Sequence, residues 1–274
     1  MRVILLGTGA ALVDPDRNHS SILITVRERN YLFDCAHGAT HQLMRAGIDP
    51  VDINVIFLSH LHFDHIADFP YFMLSTWIFG RSVAPVVIGP PATENFVRHL
   101  FAEGAFTKDI EARAQYPQRQ KNLHVLQPDV RECKPGLVFE DDLVSVTACY
   151  VEHIPREISP CFGLRMDTTD GESVVFSGDT SPCIGWSSWR RIAIFSFTNA
   201  RSRSRQSTFA VKRASGPGHI PVRTISARSL LPPKPNRWSP PTSAISTRPI
   251  PCCENIWQGT CRLTSSGRSS WRRS

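Results

Sequence analysis

The chain has 274 residues, of which 41% are apolar and 20% charged, so it can bury a core and is neither collagen-like nor disordered throughout. This length fits one α/β or all-β domain, or one and a fraction. The net charge of +7 is unevenly distributed along the chain. Residues 1–184 carry 15 basic and 23 acidic residues, a net −8, whereas residues 185–274 carry 16 basic and one acidic, a net +15. The basicity therefore belongs to the C-terminal segment and does not identify a nucleic-acid-binding core.

Cysteine placement and the N-terminus bear on the compartment. The eight cysteines contain no C-x-x-C pair and no disulfide-dense frame, which favours reduced thiols in a cytoplasm. No apolar run reaches the roughly 18 residues that would span a membrane. The opening apolar run 3–6 ends at Gly7-Thr8-Gly9, which predicts a first strand entering a glycine turn rather than a signal peptide. We therefore expect a cytoplasmic protein without a membrane partner.

The apolar and β-branched runs predict the secondary structure of the first two thirds of the chain. Predicted strands cover residues 3–6, 21–26, 31–34, 55–58, 83–88, 143–151, 161–166 and 173–176, and predicted helices cover residues 38–46, 66–78 and 93–102. This interleaving predicts two sheets flanked by helices.

The segment His60-Leu61-His62-Phe63-Asp64-His65 is the strongest chemical signal in the sequence. It places three imidazoles and a carboxylate within six residues, directly after a predicted strand. Neutral imidazole and carboxylate suit Zn²⁺, Mn²⁺ or iron. On an irregular loop, His60 and His62 would face one ion, and Asp64 and His65 a second. A chance polar loop is the alternative interpretation.

Two later residues meet the remaining needs of such a site. One ion needs a third protein ligand and a pair of ions needs a bridging anion, and both His153 and Asp179 follow predicted strands. Taken alone, His153 is equally well a capping or exposed histidine, and Asp179 an ordinary turn carboxylate. Their order after the histidine loop favours the metal-binding interpretation.

These pieces together resemble the metallo-β-lactamase fold hydrolases, and the ribonuclease Z and arylsulfatase-like members most of all. The resemblance covers residues 1–183 and rests on Gly7-Thr8-Gly9, on Pro15-Asp16-Arg17-Asn18-His19-Ser20-Ser21, on Phe33-Asp34-Cys35 with Gly38, on the histidine loop, on His153 and on Gly178-Asp179-Thr180. It implies an α+β four-layer αββα sandwich with a dinuclear site at one rim of two sheets, with two zinc ions expected and manganese or iron as alternatives.

The resemblance also implies a role for each candidate ligand. His60, His62 and His153 would hold the first metal, Asp64 and His65 the second, and Asp179 would bridge. Two cations about 3.5–4 Å apart lower the pKa of a shared water to near 7 and so supply a metal-bound hydroxide as nucleophile. Asp64 would act as the catalytic carboxylate that orients this water or passes a proton. Five other histidines, His19, His37, His41, His99 and His124, receive no role.

The segment 185–274 differs from the rest of the chain. It contains nine prolines and sixteen basic residues with little amphipathic pattern, which predicts a basic tail that does not complete the fold. The alternative is a frameshifted remainder of the same domain. In the shifted frame, residues 192–199 permit a strand ending in His-Glu, and the codon of Thr242 permits the late histidine with which the family completes its second site. In the frame as written, His219 is the only histidine after Asp179 and the candidate for that ligand.

Three functions remain open at this point. The first is a metal-dependent hydrolase of a small ester, sulfate, lactone or phosphodiester, favoured because residues 66–152 carry eight basic and eleven acidic residues and no basic RNA-binding arm. The second is a ribonuclease Z type endonuclease of tRNA 3′ ends, whose partner would be RNA. The third is a non-catalytic remnant with a nucleic-acid-binding tail. Because relatives in this superfamily are often dimers, a homodimer is also expected.

Overall fold

The computed structural model of the protein describes residues 1–181, residue 183 and the backbone of one strand at 195–199. His219 and Thr242 lie outside the described residues, and so does most of the basic segment.

The first sheet has six strands in sequential order. The two opening hairpin connections are antiparallel, and every later pairing in this sheet is parallel. Its strands are β1 (Arg2–Gly7), β2 (Ser21–Val26), β3 (Arg29–Phe33), β4 (Ile53–Phe57), β5 (Val86–Gly89) and β6 (Asp129–Glu132). Because β3, β4 and β5 run parallel, their carboxyl ends lie at one edge of the sheet, where α/β folds usually bind ligands.

The second sheet has five strands in the order β11-β10-β9-β8-β7. It is antiparallel except between β10 and β11. Its strands are β7 (Gly136–Glu140), β8 (Val144–Val151), β9 (Cys161–Thr168), β10 (Ser173–Asp179) and β11 (Phe195–Asn199).

Six helices accompany the sheets in the described part of the chain. They are α1 (Ala39–Arg45), α2 (Phe63–Ile66), α3 (Phe69–Ile78), α4 (Thr93–Phe101), α5 (Thr107–Arg113) and α6 (Pro117–Gln120). Two short 3₁₀ turns lie at Pro50–Asp52 and Leu123–Leu126. None of these helices is long and apolar enough to cross a membrane.

Strand alternation divides the core into two layers. Along β2, Ile22 and Ile24 face the second sheet, whereas Leu23 faces the helices, because successive side chains point to opposite faces of a strand. Between the sheets, the rings of Phe33 and Phe176 meet edge to face with centroids 5.9 Å apart. The result is a layer of helices on the first sheet and the second sheet on its other face. These are three of the four layers of the α+β αββα sandwich that the resemblance implies, and the fourth, a helix layer on the second sheet, does not appear among the described residues.

The structure departs from the predicted elements in three places. The single helix expected at 66–78 is divided into α2 and α3, because Pro70 favours a new helix start. Strands β6 and β7 and helices α5 and α6 were not predicted. Strand β11 lies beyond the predicted boundary at 184, so five residues of the basic segment do join the second sheet. The alternating Phe-Ser-Phe-Thr pattern of β11 is typical of a strand.

Candidate metal centre

The histidine loop leaves the carboxyl end of a buried central strand. β4 ends at Phe57, and the backbone N–H of Leu58 still pairs with the carbonyl of Ile88 at 2.7 Å. His60 therefore follows directly from the sheet and is completely buried. His62 keeps an extended backbone ahead of α2, and the first turn of that helix buries Asp64 and His65. This short helix replaces the irregular loop that the sequence predicts.

The second sheet brings His153 and Asp179 to the same place. β8 and β10 are separated by β9 in the sheet, but beyond their ends an antiparallel bridge joins Glu152 to Ser181. Gly178 has a φ of +57°, and a Cβ built there would lie 2.8 Å from the Cβ of Ser59. A glycine is therefore needed for the end of β10 to approach the histidine loop on the first sheet.

The first group of convergent ligands consists of His60, His62 and His153. Their ligand atoms lie within 4.8 Å of one another, and Nε2 of His153 lies 3.1 Å from Nδ1 of His62. His60 is buried, His153 is half-buried and His62 is exposed. Three imidazoles with one accessible side match a metal site that keeps a position open for water or substrate.

The second group consists of His60, His65 and Asp179, again with ligand atoms within 4.8 Å. Asp179 also lies near the first group, because one carboxylate oxygen is 3.4 Å from Nε2 of His65 and the other is 3.7 Å from Nε2 of His153. Oδ2 of Asp64 lies 3.8 Å from Nε2 of His65, so it borders this group without belonging to either triad. The structure thus brings together all six predicted ligands.

Buried nitrogen atoms test whether these residues fit a metal ion. Nε2 of His60 is buried and has no hydrogen-bond partner in the described part of the chain, and Nε2 of His65 is buried with only the Asp179 carboxylate nearby, at 3.4 Å. Leaving a buried polar atom without a partner costs about 1–3 kcal/mol. A metal ion would satisfy both atoms, and the surrounding imidazoles and carboxylates are the donors that zinc, manganese and iron accept. The residues fit the metal that the fold family implies.

A buried network behind the ligands orients them. Oδ2 of Asp34 lies 2.6 Å from Nδ1 of His65 and accepts a hydrogen bond from the Ser59 hydroxyl at 2.9 Å. Oδ1 of Asp34 accepts from the backbone N–H of Ser59 at 2.8 Å, and Oγ of Ser59 lies 3.0 Å from Nδ1 of His60. Such partners fix the ring orientation of a ligating histidine and leave its other nitrogen for the metal.

Sequence reasoning assigned no role to Asp34 or Ser59. A signal was present, since each residue follows the end of one of two adjacent strands, β3 and β4. Residues that leave parallel strands at the same edge meet there. Asp34 also has a positive φ of 56°, a conformation that non-glycine residues adopt mainly where the surrounding structure requires it.

The electrostatics favour the protonation states that bind metal at two of these groups. Burial, with the neighbouring histidines, lowers the pKa of His60 to about 2. Burial acts in the opposite direction on Asp179, but His65 and the other histidines lower the pKa of that carboxyl to about 2. For His65, burial is outweighed by Asp34 and Asp179, which raise the pKa to about 10. His60 is therefore neutral and Asp179 ionised at neutral pH, and a metal at His65 would displace a proton.

The remaining histidines of the described chain lie elsewhere or at the margin of this site. His99 and His124 contact the backbone carbonyls of Asn95 and Ser82. The His19 ring lies 6.0 Å from that of Phe63, and its Nδ1 is buried without a hydrogen-bond partner in the described chain. His37 and His41 are exposed. Among the described residues, the histidines of the two ligand groups are those of the histidine loop and His153.

Sequence similarity to known proteins covers the part of the chain that carries this site. A profile of the family described as "Anti-Pycsar protein Apyc1" matches residues 1–189. Ribonuclease Z of Mycobacterium marinum (strain ATCC BAA-535 / M) is 33% identical over 187 residues, covering 67% of this chain and 64% of that protein. Ribonuclease Z of Mycobacterium sp. (strain KMS) is 34% identical over 186 residues, covering 67% and 62%. The chain thus spans less than two thirds of the length of these relatives.

Solved structures show the same fold. The short form of human tRNase Z superposes with a TM-score of 0.55 at 23% identity, covering 71% of this chain and 76% of that one. The metallo-β-lactamase fold protein YhfI of Bacillus subtilis superposes with a TM-score of 0.53 at 16% identity, covering 71% and 69%. This chain therefore belongs to the Anti-Pycsar protein Apyc1 family, within the metallo-β-lactamase fold hydrolase superfamily and close to ribonuclease Z.

Proposed function

We propose that this protein is a metal-dependent hydrolase of phosphodiesters that works with two divalent cations, zinc being the expected metal. The observation that carries the proposal is the convergence of two ligand groups that share His60 and both lie near Asp179. In this proposal His60, His62 and His153 hold one cation, Asp64 and His65 hold the other, and Asp179 bridges them.

The arrangement gives each part of the chain a task in the reaction. When bound, the cations supply Lewis acidity and lower the pKa of a shared water enough for attack at neutral pH. The network of Asp34 and Ser59 keeps His65 and His60 oriented, so little reorganisation is needed when charge develops on the substrate. Asp64 is buried beside His65, where a carboxylate can hold a proton or orient a water molecule. The site needs no serine or cysteine nucleophile.

A phosphodiester is favoured over the other small substrates by relationship. The chain is 33–34% identical to proteins named ribonuclease Z over 186–187 residues, and a ribonuclease cleaves phosphodiester bonds. Small carboxylic esters, sulfate esters and lactones remain alternatives, because loops around the site rather than the fold determine the substrate.

The test is hydrolysis of bis-p-nitrophenyl phosphate by protein depleted of metal and then reloaded with zinc or manganese. We expect activity only after reloading, and loss of that activity in His62→Ala. The matched control is His99→Ala, which removes an exposed imidazole remote from the ligand groups. If the metal-reloaded protein hydrolyses p-nitrophenyl acetate or p-nitrophenyl sulfate but not the diester, the phosphodiester proposal is wrong. The substrate is then a carboxylic ester or a sulfate ester.

Processing of tRNA 3′ ends is the second candidate, favoured by the names of the relatives. The charge of the core weighs against it, because residues 66–152 carry a net acidic charge whereas RNA binding depends on neutralising phosphates. Cleavage of a tRNA precursor at least as efficient as cleavage of the small diester would support the endonuclease. Nucleic-acid binding by the full chain should then weaken steeply as the salt concentration rises. If removal of residues 200–274 abolishes this binding but not hydrolysis, RNA contact belongs to the basic segment alone.

A further inference from the structure

A pocket lies near the metal centre, and neither the ligand groups nor the proposed function uses it. It has a volume of about 460 Å³ and is formed where helix α1 meets the start of α3. The ring of His37 at this pocket lies 5.7 Å from the ring of His19, which in turn lies 6.0 Å from that of Phe63 on the metal-binding loop. His19 therefore lies between the pocket and the loop that carries Asp64 and His65.

Most of the residues that line the pocket carry a side-chain hydrogen-bond donor. Five of its side chains carry an N–H or O–H group, namely Asn18, His37, His41, Arg45 and Tyr71. Within the described part of the chain, none of these five side chains has a hydrogen-bond or ion-pair partner. The carboxylate that also lines the pocket, Asp68, is buried and already accepts a hydrogen bond from the backbone N–H of Thr40 at 2.7 Å. The wall therefore offers the Arg45 guanidinium together with amide, imidazole and hydroxyl donors to an acceptor from outside.

Three of these side chains, those of Asn18, His41 and Tyr71, are positioned by their neighbours. The carbonyl of Asn18 accepts from the backbone N–H groups of Thr8 and Gly9 at 3.0 and 2.7 Å. A Cβ at Gly38, which has a φ of +87°, would lie 2.5 Å from Cγ of Asn18. The backbone of Thr8 and Gly9 and the close approach of Gly38 therefore position the side-chain amide of Asn18 at the pocket. On the opposite wall, the rings of His41 and Tyr71 are stacked with an interplanar angle of 6°.

We infer that this pocket binds a phosphate-type oxyanion, held by Arg45 and the neighbouring hydrogen-bond donors. A guanidinium presents a fork of N–H groups that matches phosphate geometry, and convergent donors replace the hydration shell of an oxyanion. In the proposed phosphodiesterase, the anion is a second phosphate group of the substrate, beyond the one at the metals. This assignment of the source rests on the proposed function; the anion site itself does not. Free phosphate is the other source of the same chemistry.

The direct test titrates inorganic phosphate into the metal-loaded protein while the ring signals of His37 and His41 are followed by NMR. We expect both signals to shift as phosphate is added and to reach a plateau at saturation. Arg45→Ala should weaken this binding about tenfold, the effect of losing one charge-assisted hydrogen bond. Arg45→Lys keeps the charge without the fork and should fall between. Lys134→Ala is the matched control, since it removes an exposed cation at the turn between β6 and β7. Ring signals that do not respond to phosphate, or respond equally in Arg45→Ala, would overturn the inference.

The source of the anion is tested with a matched pair of esters, thymidine 5′-(p-nitrophenyl phosphate) and the same ester carrying a 3′-phosphate. A substrate source predicts a KM about tenfold lower for the 3′-phosphorylated ester, with the advantage lost in Arg45→Ala and retained in Lys134→Ala. Equal KM values, with phosphate binding intact, would overturn the substrate source and assign the pocket to free phosphate. Absence of metal-dependent hydrolysis of both esters would contradict the proposed function, whereas the NMR titration would still decide the pocket.

Discussion

Oδ2 of Asp34 lies 2.6 Å from Nδ1 of His65, and both side chains are fully buried. The contact joins the residue after β3 to the helix that follows β4. It points the other ring nitrogen of His65 towards Asp179, 3.4 Å away. A residue that is not itself a candidate ligand therefore determines how one ligand is presented.

We expect Asp34→Asn to lower metal affinity by about 10–100-fold, the usual cost of losing a partner that orients a ligand. The amide keeps the shape of the carboxylate but removes its charge. The measurement is competition for zinc with a chromophoric chelator. Asp170→Asn is the control, because Asp170 is exposed and pairs with Arg27 through a surface contact of 3.2 Å. Equal affinities in Asp34→Asn and the parent would reduce Asp34 to a structural role.

His60→Ala should lower the amount of bound metal, because His60 is one of the three histidines that would hold the first cation and also lies in the second group of convergent ligands. Its removal also leaves Ser59 without its histidine neighbour. Elemental analysis of dialysed protein is the measurement, with circular dichroism to show that the fold is retained. Metal content unchanged from the parent, or no stoichiometric metal in the parent itself, would contradict the ligand assignment.

Asp179→Asn should keep the fold but lower diester hydrolysis by more than about a hundredfold, because the lost charge lies between the two cations. The measurement is kcat/KM on bis-p-nitrophenyl phosphate, with the thermal midpoint of unfolding followed in parallel. Asp170→Asn is the control here too, because Asp170 is an exposed carboxylate that pairs with Arg27 at the surface. Activity of Asp179→Asn within about threefold of the parent would return Asp179 to an ordinary turn carboxylate.

A chain ending at residue 200 should be more stable than one ending at 184. β10 is buried along nearly its whole length, and β11 pairs with it in parallel. Removing β11 would leave the backbone N–H and C=O groups of β10 without a strand partner on that side. Thermal unfolding and soluble yield of the two truncated chains are the measurements. Equal stability of the two truncated chains would mean that β11 does not stabilise the domain, and it would favour the boundary predicted at 184.

Much of the candidate site follows from the order of residues along the chain. His60, His62, Asp64 and His65 are recognisable because four metal-binding side chains directly after an apolar strand are difficult to explain by packing. Strand alternation likewise predicts the two layers of the core, since Ile22 and Leu23 must face opposite sides of β2 whatever the topology. These properties depend on local geometry and side-chain chemistry, which a sequence contains directly.

Tertiary structure decided which distant residues meet and what each one faces. His153 and Asp179 are single polar residues after strands, and only the bridge between Glu152 and Ser181 brings them together over the end of β9. The roles of Asp34 and Ser59 depend on the parallel pairing of β3 and β4. The pocket at Arg45 depends on the approach of Asn18 to Gly38. Each of these contacts joins segments far apart in sequence, and their formation depends on the packing of the whole sandwich rather than on local preference.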